Sequence, residues 1–354
     1  MGASDPVLQL VCAVLVLATP VALLLVFPAP HRGLRVAVGA AFVVGAATSV
    51  AVDSLLSAPV DAAGSVLDAA FAGAIAGSVV VLASQRLGSL GGAVFGIAWS
   101  VIVYQPVFAA LVGSVPSLVQ TVFGAVDYAG VLATHVAAAA SLIAVHSLPV
   151  PPRDYAYVAV TVSIRRAALA VGLLTVGATA WMVGVERVID AATGRILGNA
   201  IVGVLLGAAV WVVIERIAGR PFLPGGMVAG AALGWAAIGI GAAFLSPMAL
   251  GASAVIGVAG GAAVVVRARD GANLGRRGAI AVITATAIGG VVLALLADGF
   301  GLAATGSTAL VVGQLGAVLA IGLGAAGSGL LCWALAVGVL VVRERRQRRS
   351  VPRE

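Results

Sequence analysis

Very few side chains in this sequence of 354 residues can do chemistry; they include three histidines, two cysteines and thirteen carboxylates. His135 stands inside a strongly apolar run, residues 126–148, which Asp127 opens. A neutral imidazole offers one donor and one acceptor, which suits passing on a proton or a small hydrogen-bonding molecule. Unpaired in apolar surroundings it is costly, so it should face the interior of a bundle or a path through it; a neighbouring backbone carbonyl is the other way to satisfy it. Read as one helix, the run places His135 about 12 Å below Asp127. Asp127 can cap that helix, supply an acidic field that favours a cation, or do both. His146 lies about 16 Å further along the same face, too far to share a hydrogen bond with His135. His31 falls in a loop. Cys12 and Cys332 sit in apolar runs without a CxxC or Cys/His cluster, so neither a metal nor a cofactor is expected. Paired carboxylates and Ser/His/Asp sets are also missing from the apolar runs, so an enzyme is not expected.

The elements that must position these residues follow from composition. The chain is 62% hydrophobic and 9% charged, against about 25% charged in a soluble domain. A water-exposed globule with so little charge would carry apolar patches far beyond the usual size. Apolar runs at about 7–28, 36–58, 64–84, 90–113, 126–148, 162–185, 196–214, 224–242, 248–266, 278–297 and 308–341 read as eleven membrane-spanning helices. Short connections make them one all-α domain over residues 1–342, followed by a short basic tail, 343–354. All twenty basic residues are Arg. With the N-terminus outside and eleven crossings, eighteen of them fall on the inner side, and only Arg187 and Arg195 on the outer side. That asymmetry supports an odd number of crossings and a cytoplasmic C-terminus. The net charge of +7 therefore reflects topology and lipid headgroups; no basic patch with interleaved aromatics points to nucleic acid. Gly226, Gly230 and Gly234 form two overlapping GxxxG steps, a spacing that lets membrane helices approach closely.

Several motifs then recur in a fixed order. They are Leu17-Ala18-Thr19-Pro20, Phe71-Ala72 through Gln85-Arg86, Trp99 with Tyr104-Gln105-Pro106-Val107, Asp127-Tyr128-Ala129-Gly130 with His135, Glu215 to Pro221 with Gly226, Gly230, Gly234, Phe244 and Ser246-Pro247, and Gly313-Gln314-Leu315-Gly316. Over nearly the whole chain this series resembles the ammonium transporter (Amt/Mep/Rh) family. The resemblance implies an inverted repeat of five plus five helices followed by a long last helix. It further implies a homotrimer in the plasma membrane, with one narrow hydrophobic pore for ammonium or ammonia in each subunit and a role in nitrogen uptake.

It also implies site residues. Phe71 and Trp181 fall on the two stacked aromatic gate positions, with Trp181 in place of a Phe. His135 falls on the first pore histidine and Thr286 on the second, so the histidine pair is broken. Val112 takes the place of the outer-site Trp, Val185 that of a neighbouring Ser, and Met182 that of an Asn. Two further readings follow from these departures: a sensor-like relative that does not transport, and a channel for another small neutral solute or gas. The tail from Arg343 onward is shorter than the one the family uses to dock a cytoplasmic regulatory protein, and reads as a headgroup anchor.

Overall fold

The computed structural model describes residues 5–27, 33–55, 62–112, 116–150, 162–266 and 274–350. Within them the chain is all-α, and the helices are long because most stretches are apolar and rich in Ala, Val and Leu. The first span is α1 (Pro6–Leu15) followed by α2 (Ala18–Val26). It is one apolar run but two helices. Pro20 cannot donate to the turn before it, and Leu17 and Thr19 bond back only three residues. Next come α3 (Gly33–Leu55), α4 (Ala62–Trp99), a π-helical turn (Ser100–Tyr104), α5 (Gln105–Val112) and the short α6 (Leu118–Phe123). A second π-helical turn (Leu132–Val136) leads into α7 (Ala137–Ser147). The second half comprises α8 (Ile164–Glu186), α9 (Thr193–Ile217), α10 (Pro224–Ile238), α11 (Pro247–Val266), α12 (Leu274–Leu296), the short α13 (Leu302–Thr305) and α14 (Ala309–Ser350).

The count of crossings holds, with a change at the third and fourth. Residues 62–112 form a continuous helical stretch, yet a straight rod of that length would be about 76 Å long, more than twice a bilayer core. It reverses at Gly88, which adopts φ 66° and ψ 175°. The sides of the reversal then run antiparallel: a Cβ on Gly92 would strike Ser84, and one on Gly96 would strike Val80. Eight stretches are long and apolar enough to cross a membrane, this folded one among them, and two shorter apolar helices join them, Leu132–Ser147 and Pro224–Ile238. Taken together, the described residues make eleven crossings of a multi-pass membrane protein.

The packing repeats between halves. The second span, α3, lies on the third, the first part of α4, just as α9 lies on α10. The first span contacts the third as α8 contacts α10, and the halves meet where α2 packs on α8 and α7 on α12. Glycine makes the α9–α10 crossing possible. A Cβ on Gly207 would lie 2.5 Å from Gly230 O, and one on Gly234 would lie 2.6 Å from Gly203 O. The GxxxG helix thus packs backbone to backbone, as its spacing predicts.

Three boundaries differ from the sequence reading. The fifth span becomes helical only at Leu132, not at 126, because residues 124–131 hydrogen-bond elsewhere. The eighth ends at Ile238 rather than 242, and a turn segment carries the chain to Ser246. The last helix does not stop at 341 but continues to Ser350. Arg and Glu are good helix formers, and a Glu344–Arg348 pair spans one turn of this extension. The described part of the basic tail is therefore a rigid prolongation of α14. His31 lies outside the described residues.

Gly88→Ala is expected to cost about 1–3 kcal/mol, the scale of holding a side chain in a backbone region reserved for glycine. Gly39→Ala, on an exposed helical position with nothing within 4 Å of the added methyl, should leave stability unchanged or raise it. Thermal unfolding of the detergent-solubilised protein compares the two; equal melting points would refute the role given to Gly88.

Candidate functional site

The site is organised around residues 124–131, where the chain leaves the helix inside the bundle. Backbone groups that leave a helix must find other partners where they are buried, as Ala125, Ala129 and Val131 are. Tyr128 N donates to Ile240 O (3.2 Å) and Ala129 N to Gly239 O (3.1 Å), so this segment pairs with the turn that follows α10. Gln314 Nε2 donates to Val126 O (2.7 Å), and Trp181 Nε1 to Ala129 O (2.9 Å). The two carboxylate oxygens of Asp127 accept from Val131 N (2.9 Å) and Leu132 N (2.8 Å). Asp127 is therefore a helix cap, but of the helix that starts five residues later than its place in the run suggests. Within the second half, Asn199 Nδ2 donates to Ala242 O (2.8 Å) and Leu245 O (3.2 Å), which pins the second turn segment.

Directly beside this pinned backbone the two aromatic candidates meet. Phe71 and Trp181 stack with centroids 4.1 Å apart and planes 19° from parallel. They retain only 2% and 3% of their surface. The indole hydrogen bond to Ala129 O fixes the tilt of the Trp181 ring. Below the pair lies Trp235 of α10, edge-to-face with Trp181 at 6.2 Å and with His135 at 4.9 Å. The order is Phe71, Trp181, Trp235, His135: an aromatic column that ends on the imidazole. His135 belongs to a π-helical turn, a local widening often found at functional positions. Its neighbours Leu132, Ala133, Thr134, Val136 and Ala137 are buried, while His135 itself keeps accessible surface. Its Nδ1 lies 2.9 Å from Thr134 Oγ1.

The mouth above Phe71 carries charge that the sequence reading did not single out. Arg187 adopts φ 61° where α8 ends, and its guanidinium binds both oxygens of buried Asp68 at 2.7 and 2.6 Å. Asp68 lies one turn from Phe71, and Arg187 six residues beyond Trp181, so this ion pair clamps the two helices that carry the stacked rings. Tyr128 Oη sits 2.7 Å from Glu186 Oε2 and 2.8 Å from Met182 O. Edge-to-face contacts extend from it to Phe244 at 5.9 Å and from Phe244 to Phe300 at 5.3 Å. A partly exposed carboxylate beside such rings suits a small cation.

The remaining candidates are not drawn to the column. Thr286 is fully buried, but its hydroxyl donates to Val282 O in its own helix (3.0 Å). Among the described residues no hydrogen bond links it to His135. Val112 is 53% exposed at the end of α5. Val185 packs at the edge of the core that contains Phe71 and Trp181. His146 abuts the backbone of Gly275 at the start of α12, far from His135. Two residues of this cluster were not singled out, and each had a signal. Trp235 is the one aromatic residue in α10, a helix rich in Gly and Ala. Arg187 is one of the two arginines that the sequence reading sets on the outer side.

No protein-family model matches the chain, and no curated protein sequence matches it either. Solved structures do. The crystal structure of Saccharomyces cerevisiae Mep2 superposes with a TM-score of 0.72 at 16% identity, over 93% of this chain and 86% of that one. Candida albicans Mep2 gives 0.70 at 15% identity, over 99% and 86%. A structure described as a sensor Amt protein gives 0.68 at 14% identity, over 93% and 92%. At such low identity the likeness is one of fold, and it extends over nearly the whole of each chain.

Asp127→Ala is expected to destabilise the protein by about 1–2 kcal/mol, the range for losing a helix cap. Asp127→Asn, which keeps one acceptor oxygen, should lose less. Melting temperatures of the two variants decide the matter: an Asn variant as unstable as the Ala variant would mean that the negative charge, and not the cap, is what the position supplies.

Proposed function

We propose that this chain is a divergent member of the ammonium transporter family and forms a transmembrane channel or transporter for ammonium or ammonia. It acts as a homotrimer in the plasma membrane, with the N-terminus outside and the C-terminus in the cytoplasm. The observation that carries this reading is the column itself: two stacked aromatic rings leading, between the halves of an inverted repeat, through Trp235 to the imidazole of His135. Paths of this kind lie where two repeats meet and backbone leaves the helix. Selectivity comes from stripping water at the Phe71–Trp181 constriction and replacing it with hydrogen bonds below. At the mouth, Glu186 with Tyr128, Phe244 and Phe300 concentrates the cation, while Asp68 is neutralised by Arg187. The chain's own groups do no covalent chemistry; they bind, exclude water and orient.

A sensor-like role without transport is the second reading. It is favoured by Thr286, whose hydroxyl is spent on its own helix and which cannot titrate. A channel for another small neutral solute is favoured by the apolar Val112 and Val185.

Purified protein in lipid vesicles should take up ammonium or methylammonium faster than empty vesicles, and His135→Ala should change that rate. Uptake no greater than in empty vesicles would sink the transport reading. Ammonium binding without flux would establish the sensor-like one.

A further inference from the structure

We infer that the arginine-rich ends of α11 and α12 form a binding site for an anionic phospholipid. Arg276 and Arg277 hold its phosphate, and an acyl chain lies in the furrow between the two helices. The site is separate from the column of rings and stands whatever the bundle transports.

The furrow follows from side-chain size. The helices pack antiparallel: a Cβ on Gly257 would lie 3.4 Å from Ala285 O, and one on Gly261 3.1 Å from Ala281 O. Beside this line of contact α11 presents only Ala259 and Ala263, both exposed, and Gly260, against which Ile288 of α12 is pressed. Toward the helix ends the contact opens into a cavity of about 390 Å³, lined by Ala263, Val264, Arg276, Arg277 and Ile280. Its floor is apolar and continues along the outside of the bundle. Ile280 is 37% exposed, and Ile256, about 10 Å along α11 from Ala263, is 52% exposed.

The rim of the furrow is positive. Arg276 and Arg277 are half-buried there, and among the described residues no carboxylate pairs with either. They stand in the first turn of α12, where free N–H groups and the helix dipole add partial positive charge. Arg220 reaches the same end and donates to Val266 O, in the last residue of α11. By sequence, the connection between the helices adds Arg267 and Arg269 against Asp270, so the net sign there is positive. The tail differs: the Arg348 side chain is 79% exposed and already pairs with Glu344.

A planar guanidinium matches the oxygens of a phosphate. A free anion satisfies the rim and leaves the floor bare; a neutral apolar chain does the reverse. A molecule with a phosphate above an acyl chain meets both. Basic pockets between membrane-spanning helices are where such headgroups bind.

Full-length protein, stripped of lipid in detergent, is titrated with phosphatidylglycerol, with phosphatidylcholine of the same acyl chains, and with inorganic phosphate. Bound lipid is counted by native mass spectrometry, alongside the melting temperature. Phosphatidylglycerol should bind more tightly than phosphatidylcholine and raise the melting temperature, and inorganic phosphate should not displace it. Arg276→Gln with Arg277→Gln should weaken phosphatidylglycerol about 10- to 30-fold, the effect of two arginines close to an anionic headgroup, and leave phosphatidylcholine unchanged. Ala263→Trp, which keeps both charges and fills the furrow, should weaken phosphatidylglycerol as well, so a failure of one variant to fold leaves the other to decide. Arg345→Gln with Arg346→Gln, in the tail, should change nothing. Undiminished binding in a folded furrow variant, or an equal loss in the tail variant, would overturn the site. Displacement by inorganic phosphate would overturn the lipid in favour of a soluble anion. A Trp variant that keeps its lipid but separates into single chains would assign the furrow to a contact with a second copy instead.

Discussion

Backbone polar groups without a helix to satisfy them are the constraint on which this structure turns. Residues 124–131 run into the bundle in a non-helical conformation, so their backbone groups need partners from elsewhere in the chain. Their partners come from four directions: the carbonyls of Gly239 and Ile240, the Gln314 amide, the Trp181 indole and the Asp127 carboxylate. Each of these groups also fixes something else. The indole bond sets the plane against which Phe71 stacks. The Asp127 cap determines where the helix begins, and so which face His135 presents. Gly239 and Ile240 belong to the second half of the repeat, so the same bonds join the halves.

Close helix contact is what lets the unwound segments reach each other. The backbone of α9 rides on that of α10 through Gly207, Gly230 and Gly234, and Trp235, the next residue, is buried against Trp181 and His135. At the mouth, the Asp68–Arg187 pair performs a comparable task with charge. Removing one partner of such a pair leaves an uncompensated charge behind, which costs far more than the intact pair contributes. Its value lies in the alignment of the helices bearing Phe71 and Trp181.

The column differs from a two-histidine arrangement in its residues: Thr286, which the resemblance sets opposite the histidine, donates to Val282 O in its own helix, and Trp235 lies edge-to-face with His135. The fold is shared with the Mep2 structures.

Much of this was legible in the order of residues. Apolar runs and arginine placement gave eleven crossings, since hydrophobic thickness and headgroup charge act on local sequence. The Gly226–Gly230–Gly234 spacing announced a close helix contact, and ordered motifs singled out Phe71, Trp181 and His135, which the structure brings into one column of rings. Other features were decided only in three dimensions. That residues 124–131 are not helical follows from partners more than fifty residues away, which an apolar run cannot reveal. Likewise, Thr286 turned out to spend its hydroxyl on its own helix, and Val112 to stand at the surface. Trp235 meets His135 edge-to-face only once α10 packs beside the π-helical turn that carries the imidazole. Burial and helix propensity are local and can be read from sequence; the pairing of leftover donors and acceptors is a property of the assembled bundle.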